Sequence, residues 1–171
     1  MANEASKVLV HLYWPVADAA AAPLTPEALQ RLPSYITRYA ETLGAKVQGV
    51  GGMEDHLHVL LMLPKNKTLQ SIEDELQRAT QRFLRDVGSS RSFLWASAGN
   101  RAVGVSLWDR ETVADYLTDN AARHASGDLW AELEGEPVVT DAAGSSPPAD
   151  KSAGGDEEIP EWLRKAMKGE S

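Results

Sequence analysis

The sequence contains no cysteine among its 171 residues. This absence excludes a disulfide framework, thiolate metal sites and cysteine nucleophiles, so any metal must be bound by histidine, carboxylate or amide groups. The sequence also lacks an apolar run approaching the roughly 20 residues of a membrane helix. Its first seven residues lack the basic and apolar segments of a signal peptide. We therefore expect a cytoplasmic protein.

Basic residues are scarce, with 17 Lys and Arg against 25 Asp and Glu and a formal net charge of -8. Residues 136–171 hold eight acidic and four basic residues, so residues 1–135 retain half of the net charge. Phosphate binding usually requires a basic surface, but screening limits the reach of distant charges to about 8–10 Å, so a local basic groove is compatible with an acidic protein. The candidates for nucleic-acid binding are Lys65, Lys67, Arg78, Arg82, Arg85, Arg91 and Arg101. The three arginines between 78 and 85 equally fit a solvated helix face.

Hydrophobic periodicity predicts one folded domain over residues 1–135. Strand patterns cover residues 7–14, 45–50, 56–63 and 102–108, and helical spacing covers residues 25–43, 68–83 and 109–126. We expect Pro33 to kink or divide the first helix, and Gly127 to end the last one. The order is that of a ferredoxin-like split βαβ fold of the α+β class, with an antiparallel sheet, helices on one face and an added C-terminal helix. We expect Trp95 and Trp108 to pack in the core or at a dimer interface.

The composition changes beyond Gly135 to Pro, Ala, Gly, Ser and Asp. Residues 136–158 are predicted to form a disordered acidic linker. Residues 159–171 are predicted to form a short amphipathic segment, whose apolar face could bind this domain or a protein partner.

His56 and His58 lie one residue apart in an apolar strand pattern. Side chains two positions apart on a strand point to the same face, so both imidazoles could bind one metal ion. The same spacing also fits an ordinary polar pair on an open sheet face. His11 is expected to be an ordinary strand residue.

Tyr116, Asn120 and His124 follow one another at i, i+4 spacing on the last predicted helix. A phenol has a reference pKa of about 10 and is a poor nucleophile, but a divalent metal can polarise a phosphate and assist its attack. His56, His58 and the amide oxygen of Asn120 would give three neutral ligands and leave metal positions open for phosphate. Tyr116 could equally be an amphipathic residue that packs its ring and exposes its hydroxyl.

Several stretches together resemble the HUH single-tyrosine transposases, which comprise the insertion-sequence 200/605-like transposases and their REP-associated relatives. The resemblance covers about residues 7–130 and rests on residues 53–61, Trp95, residues 104–106, residues 113–120 and His124. It implies a ferredoxin-like domain that forms a homodimer and cuts and rejoins single-stranded DNA beside hairpins, with Mg2+ or Mn2+ as the cofactor and without ATP.

The resemblance also implies roles for single residues. His56 and His58 match the HUH pair, Tyr116 matches the nucleophile that forms a 5′-phosphotyrosine bond, and Asn120 matches the third metal ligand, which is commonly Gln. His124 matches a His that often follows, without an assigned role. The tyrosine helix of the family often works with the partner subunit's His pair, so the resemblance implies active sites completed across the dimer.

The chain departs from the family after its first strand, where residues 15–20 lack the usual basic and aromatic segment. Three functions therefore stay open. The first is a metal-dependent strand transferase or endonuclease related to a transposase. The second is a transposase-derived, non-catalytic DNA- or protein-binding module that uses its acidic tail, and the third is a metal-dependent hydrolase that forms no covalent adduct.

Overall fold

A computed structural model of the chain describes residues 8–88 and 90–134. The linker and the amphipathic segment predicted for residues 136–171 lie outside the described residues, so they stay predictions. No helix in the described ranges combines the length and the apolar character that crossing a membrane requires.

Four antiparallel strands form one sheet in the order β2-β3-β1-β4. They are β1 (Leu9–Pro15), β2 (Lys46–Met53), β3 (His56–Met62) and β4 (Arg101–Val105). Since β3 lies between β1 and β2, which a helix connects, this is the split βαβ arrangement that the sequence predicts. The predicted fold class is confirmed.

Strands β2 and β4 each end three residues away from the predicted boundary. Strand β2 continues through Gly51 and Gly52, which pair with His58 and Leu57, so the hairpin turn is confined to residues 54–55. Strand β4 ends at Val105, because the next residues form a 3-10 turn capped by a serine hydroxyl. Glycine weakens a strand pattern, but pairing with β3 keeps Gly51 and Gly52 of β2 in the sheet.

Helices α1 (Pro26–Thr42) and α2 (Leu69–Phe83) cover one face of the sheet. Thr25 and Thr68 cap them by accepting backbone hydrogen bonds. Pro33 does not divide α1, so that part of the prediction is wrong, while the kink stays a prediction. The helix stays continuous because its apolar side chains on both sides of the proline, including Leu32 and Ile36, are buried on the sheet.

The opposite face carries three shorter helices, α3 (Arg110–Thr118), α4 (Asn120–Ser126) and α5 (Ala131–Glu134). The single helix predicted over residues 109–126 is thus two helices, separated at Asp119, whose ψ of 13° departs from the helical value. Gly127 ends α4 in the left-handed conformation with φ 75°, which confirms the predicted stop.

The larger hydrophobic core lies between the sheet and the first two helices. Leu12, Trp14 and Val59 are fully buried there, and burial of such side chains contributes about 1.5–3 kcal/mol each. Trp95 is also buried in this core and donates to the Thr80 hydroxyl at 3.0 Å. Core packing of Trp108 is contradicted, because it is 95% exposed on the 3-10 turn after β4. Its place at a dimer interface stays a prediction.

The second core is small and lies between the other sheet face and the C-terminal helices. Leu9, Leu60, Val113, Leu117 and Leu133 supply its apolar side chains. They surround a group of buried polar side chains, so the first core stabilises the sheet while the second positions a polar site.

Candidate active site

Strand alternation places four aromatic polar side chains on the sheet face that carries the small core. His56 and His58 point to this face, as their spacing predicts, and are 3% and 0% exposed. The Tyr13 ring stacks on the His56 ring with centroids 5.1 Å apart. His11 lies on the neighbouring strand with its Nε2 atom 2.9 Å from Nδ1 of His58. His11 is therefore part of the site, which the sequence interpretation missed.

The outward nitrogen of each strand histidine is held by a neighbouring group. Nδ1 of His56 lies 2.6 Å from Oδ1 of Asp55, and Nδ1 of His58 contacts His11. Burial, followed by the proximity of His58, lowers the pKa of His11 to about 3, so His11 is neutral near pH 7. These contacts turn Nε2 of both strand histidines towards the same point.

The carboxylate of Glu134 lies at that point. Its Oε2 atom is 3.2 Å from Nε2 of His56, 3.3 Å from Nε2 of His58 and 3.0 Å from Nε2 of His124. Burial alone would raise the pKa of Glu134, but the nearby imidazoles of His56 and His58 and the hydrogen bond from Tyr116 hold it well below its usual range. Glu134 is therefore an ionised, 4% exposed carboxylate beside three imidazoles.

The second carboxylate oxygen connects Glu134 to the predicted nucleophile. Oε1 accepts hydrogen bonds from the Tyr116 hydroxyl and from Nδ2 of Asn120, the latter at 2.9 Å. The Tyr116 hydroxyl in turn accepts the backbone N–H of Trp130 at 3.1 Å, and the two rings stack with centroids 5.1 Å apart. Burial and the bond to Glu134 raise the pKa of Tyr116 above its ordinary value. The phenol is therefore protonated at neutral pH.

Tyr116 reaches this site within one chain. Its ring centroid is 6.4 Å from that of His58, and its side chain is fully buried. The resemblance implies a tyrosine supplied across a dimer, whereas here the chain's own tyrosine occupies the position. The dimer itself stays a prediction.

Asn120 reaches the site with its amide nitrogen rather than its oxygen. Nδ2 lies 3.4 Å from Nε2 of His58 and donates to Glu134, while Oδ1 is buried without a hydrogen bond from any described residue. Coordination through Oδ1 would require the amide to turn over, and nitrogen and oxygen of an amide are assigned from such contacts. The predicted metal-ligand role of Asn120 therefore stays a prediction.

The residues present fit a metal ion. His56, His58, His124 and Glu134 each offer one donor atom, and these four atoms lie within 4.8 Å of one another. Bonds of about 2.0–2.1 Å place neighbouring donors about 3.3 Å apart in a tetrahedral site and about 3.0 Å apart in an octahedral one, which matches the contacts of Glu134 Oε2. Nε2 of His56 is buried and makes no well-aligned hydrogen bond to the described residues, as expected of an atom that is available to bind a metal ion.

Most of the predicted basic groove lies away from this cluster. Arg78 and Arg82 are on α2, which packs on the other face of the sheet, and Nε of Arg85 donates to the Phe93 carbonyl oxygen. Arg101 pairs with Tyr13 on the neighbouring strand and thus lies on the face of the cluster. Lys65, Lys67 and Arg91 are in loops. Their binding of nucleic acid stays a prediction.

Solved structures share this fold. A candidate transposase from Deinococcus radiodurans R1 matches with a TM-score of 0.51 and 17% identity, over 70% of this chain and 95% of that one. A REP-associated tyrosine transposase bound to a REP hairpin matches with a TM-score of 0.52 and 13% identity, over 70% of this chain and 69% of that one.

None of the curated proteins compared with the chain matches it. The family described as Transposase IS200 like matches residues 4–120. This match covers well over half of the 171 residues and includes the two strand histidines, Tyr116 and Asn120. The chain therefore belongs to the IS200-like transposase family.

Proposed function

We propose that this protein is a metal-dependent enzyme that cuts and rejoins single-stranded DNA through a 5′-phosphotyrosine intermediate on Tyr116. The observation that best supports this proposal is that the Tyr116 hydroxyl and the Nε2 atoms of His56 and His58 all lie beside the buried carboxylate of Glu134. Family membership supports DNA as the substrate. The hairpin bound by the structurally similar REP-associated transposase supports hairpin DNA as the first substrate to test.

The reaction exchanges one phosphodiester for another. The phenolic oxygen of Tyr116 bonds to phosphorus while the bond from phosphorus to the 3′ oxygen breaks, and the phenolic proton ends, in net terms, on that 3′ oxygen. Rejoining reverses these changes, so the phosphotyrosine conserves the energy of the broken bond. A divalent cation, when bound, would stabilise the charge on the phosphate oxygens. His56 and His58 are the residues that would hold it.

The structure presents Tyr116 in a protected state. The side chain is fully buried, with Trp130 stacked on its ring and Glu134 bonded to its hydroxyl. A phosphodiester reaches this hydroxyl only after Trp130 moves off the Tyr116 ring and the hydroxyl releases Glu134. Burial and Glu134 thus keep the phenol protonated, and the stacked ring of Trp130 helps to shield it from water until DNA binds.

The direct test uses the full chain, an end-labelled single-stranded hairpin and Mn2+. The proposal predicts a DNA-linked protein band on a denaturing gel that EDTA prevents and that duplex DNA does not give. Cleaved products without that band would indicate the hydrolase alternative. Binding of the hairpin without cleavage, across a panel of hairpin sequences, would indicate a non-catalytic binding module.

His11 is expected to act through His58. His11→Ala removes the group that holds Nδ1 of His58, so we expect metal affinity to fall by about 10–100-fold, the usual effect of losing such a supporting contact. Isothermal titration with Mn2+ or Zn2+ measures this change. Val103→Ala is the control, since Val103 pairs with His11 on β4 and should leave the affinity within about 3-fold. Equal affinities for wild type and His11→Ala would refute the supporting role.

The arrangement within one chain can be tested by mixing two inactive variants. In a homodimer whose sites each use one chain, Tyr116→Phe mixed with His58→Ala restores no adduct, because each site retains one defect. If the partner subunit supplies the tyrosine, co-expressed variants form one intact site in each mixed dimer. Recovery to about a quarter of the wild-type yield would therefore contradict the arrangement proposed here. Size-exclusion chromatography with light scattering establishes whether the dimer is present.

A further inference from the structure

Two of the four donor groups in the cluster lie beyond the part of the chain that the family matches. The match ends at residue 120, whereas His124 is on α4 and Glu134 ends α5. Both side chains nevertheless turn back to the strand histidines, where Nε2 of His124 and Oε2 of Glu134 lie 3.0 Å apart. The proposed reaction gives His124 no role and gives Glu134 only its contact with Tyr116.

We propose that His124 and Glu134 are direct metal ligands, which complete with His56 and His58 a centre of three imidazoles and one carboxylate for a transition-metal ion of the Zn2+ class rather than Mg2+. This inference rests on the proposed function only for the use of the ion in catalysis. The binding of the ion is a property of the cluster itself.

The geometry around Glu134 supports this ligand set. Its Oε2 atom is 3.0–3.3 Å from three imidazole nitrogens, which is the separation of neighbouring donors around an ion with bonds of about 2.0–2.1 Å. The largest separation within the cluster is 4.8 Å. Binding must therefore draw the imidazoles inwards, by roughly 1.5 Å for the widest pair, and side-chain rotation can supply such a change.

The donor types decide the class of ion. Imidazole nitrogen suits Zn2+, Co2+ and Ni2+, whereas Mg2+ prefers oxygen donors, near-octahedral geometry and several retained waters. Three of the four donors here are nitrogen, and the cluster is buried except for His124, which is partly exposed. A single buried carboxylate also leaves positive charge on a divalent ion, which favours a later interaction with phosphate.

Contacts around the cluster orient the donor atoms inwards. Asp55 holds the outward nitrogen of His56, His11 holds that of His58, and Asn120 and Tyr116 both donate to the outward oxygen of Glu134. Metal ligands in proteins usually have such supporting partners, which fix the ring or carboxylate orientation. Asn120 thereby acts as a positioning residue for Glu134.

Without an ion, the same contacts would be hydrogen bonds from Nε2–H groups of the histidines to Glu134. The two arrangements differ in the affinity that they predict for added metal. A cluster held only by hydrogen bonds binds Zn2+ weakly, and the loss of His124 changes that affinity little, whereas a four-ligand centre depends on each donor.

The test uses the full chain after removal of metal with EDTA and dialysis, in the absence of DNA. Zn2+ affinity is measured by competition with a chromophoric chelator, and Co2+ is added to report coordination by its visible absorption. We expect one ion per chain, at least 100-fold preference for Zn2+ over Mg2+, and the intense absorption of four-coordinate Co2+. His124→Ala and Glu134→Gln are each expected to lower Zn2+ affinity by at least 100-fold and to weaken that absorption.

Two variants serve as comparisons. Glu73→Gln removes a half-buried carboxylate that bonds to Trp14 on the other face of the sheet, and should leave Zn2+ affinity within 3-fold. Asn120→Ala should reduce it by less than the two ligand variants do. Far-UV circular dichroism of each metal-free variant shows whether that variant is folded. If a ligand variant does not fold, the Co2+ spectrum of the wild type tests the ligand set instead. Absorption typical of six-coordinate Co2+ in the wild type would itself overturn the proposal.

The result that would overturn the inference is Zn2+ affinity within 3-fold of wild type in both His124→Ala and Glu134→Gln. This outcome is distinguishable from failure of the proposed function. Four-coordinate metal binding without any DNA adduct refutes only the proposed function, whereas an adduct formed with Mg2+ in a protein that binds Zn2+ no better refutes only the four-ligand centre.

Discussion

Tyr116→Phe is expected to reduce the covalent protein–DNA adduct by at least about 10³-fold, to the background of the assay. The substitution removes the oxygen that bonds to phosphorus and retains the ring that stacks on Trp130. Asn120 continues to donate to the freed oxygen of Glu134, so metal affinity should stay within about 3-fold. The measurement is adduct yield on a denaturing gel, together with metal titration of the same preparation.

Tyr13→Phe is the matched control for this experiment. Tyr13 is a second tyrosine at the site and stacks on His56, but its hydroxyl takes no part in the proposed bond formation. Its variant should retain adduct formation within about 10-fold of wild type. Adduct formation by Tyr116→Phe at more than a few per cent of the wild-type yield would show that Tyr116 is not the nucleophile.

Gly51→Ala is expected to lower the free energy of unfolding by about 3 kcal/mol or more and to abolish adduct formation. A Cβ atom at Gly51 would lie 1.8 Å from the backbone oxygen of Leu117, so helix α3 would have to move away from strand β2. Leu117 directly follows Tyr116, and this movement would also displace the nucleophile from the histidines. Urea unfolding followed by circular dichroism measures the stability change.

Gly104→Ala is the matched control, since a Cβ atom at Gly104 meets no described atom within 4 Å. We expect its free energy of unfolding to stay within about 1 kcal/mol of wild type and its adduct yield to be unchanged. If Gly51→Ala is as stable and as active as Gly104→Ala, the close approach of α3 to β2 does not position the site.

The fold and half of the site follow from local sequence patterns. Alternation along a strand predicts that His56 and His58 share a face, and helical spacing predicts that Tyr116, Asn120 and His124 lie on one side of the C-terminal helical region. Both predictions depend only on the geometry of a single element. The break at Asp119 does not change the outcome, since the two helices still bring these side chains to the same face of the sheet.

His11 and Glu134 could not be found in this way. The contact of His11 with His58 depends on the pairing of β1 with β3, and a change of register by one residue would turn His11 to the other face. Glu134 ends a four-residue helix after Gly127 and has no periodic relation to any other member of the site. Its position follows from tertiary packing, with Leu133 buried in the small core beside it.

Tyr116 is proposed to form a covalent bond to DNA at a metal-assisted site. Mass spectrometry of the protease-digested adduct, formed by the full chain on a single-stranded hairpin with added divalent metal, tests it most directly. We expect one modified peptide, with a nucleotide joined to the Tyr116 oxygen through its 5′ phosphate. Attachment at any other residue, or cleaved DNA with every tyrosine peptide unmodified, would contradict it.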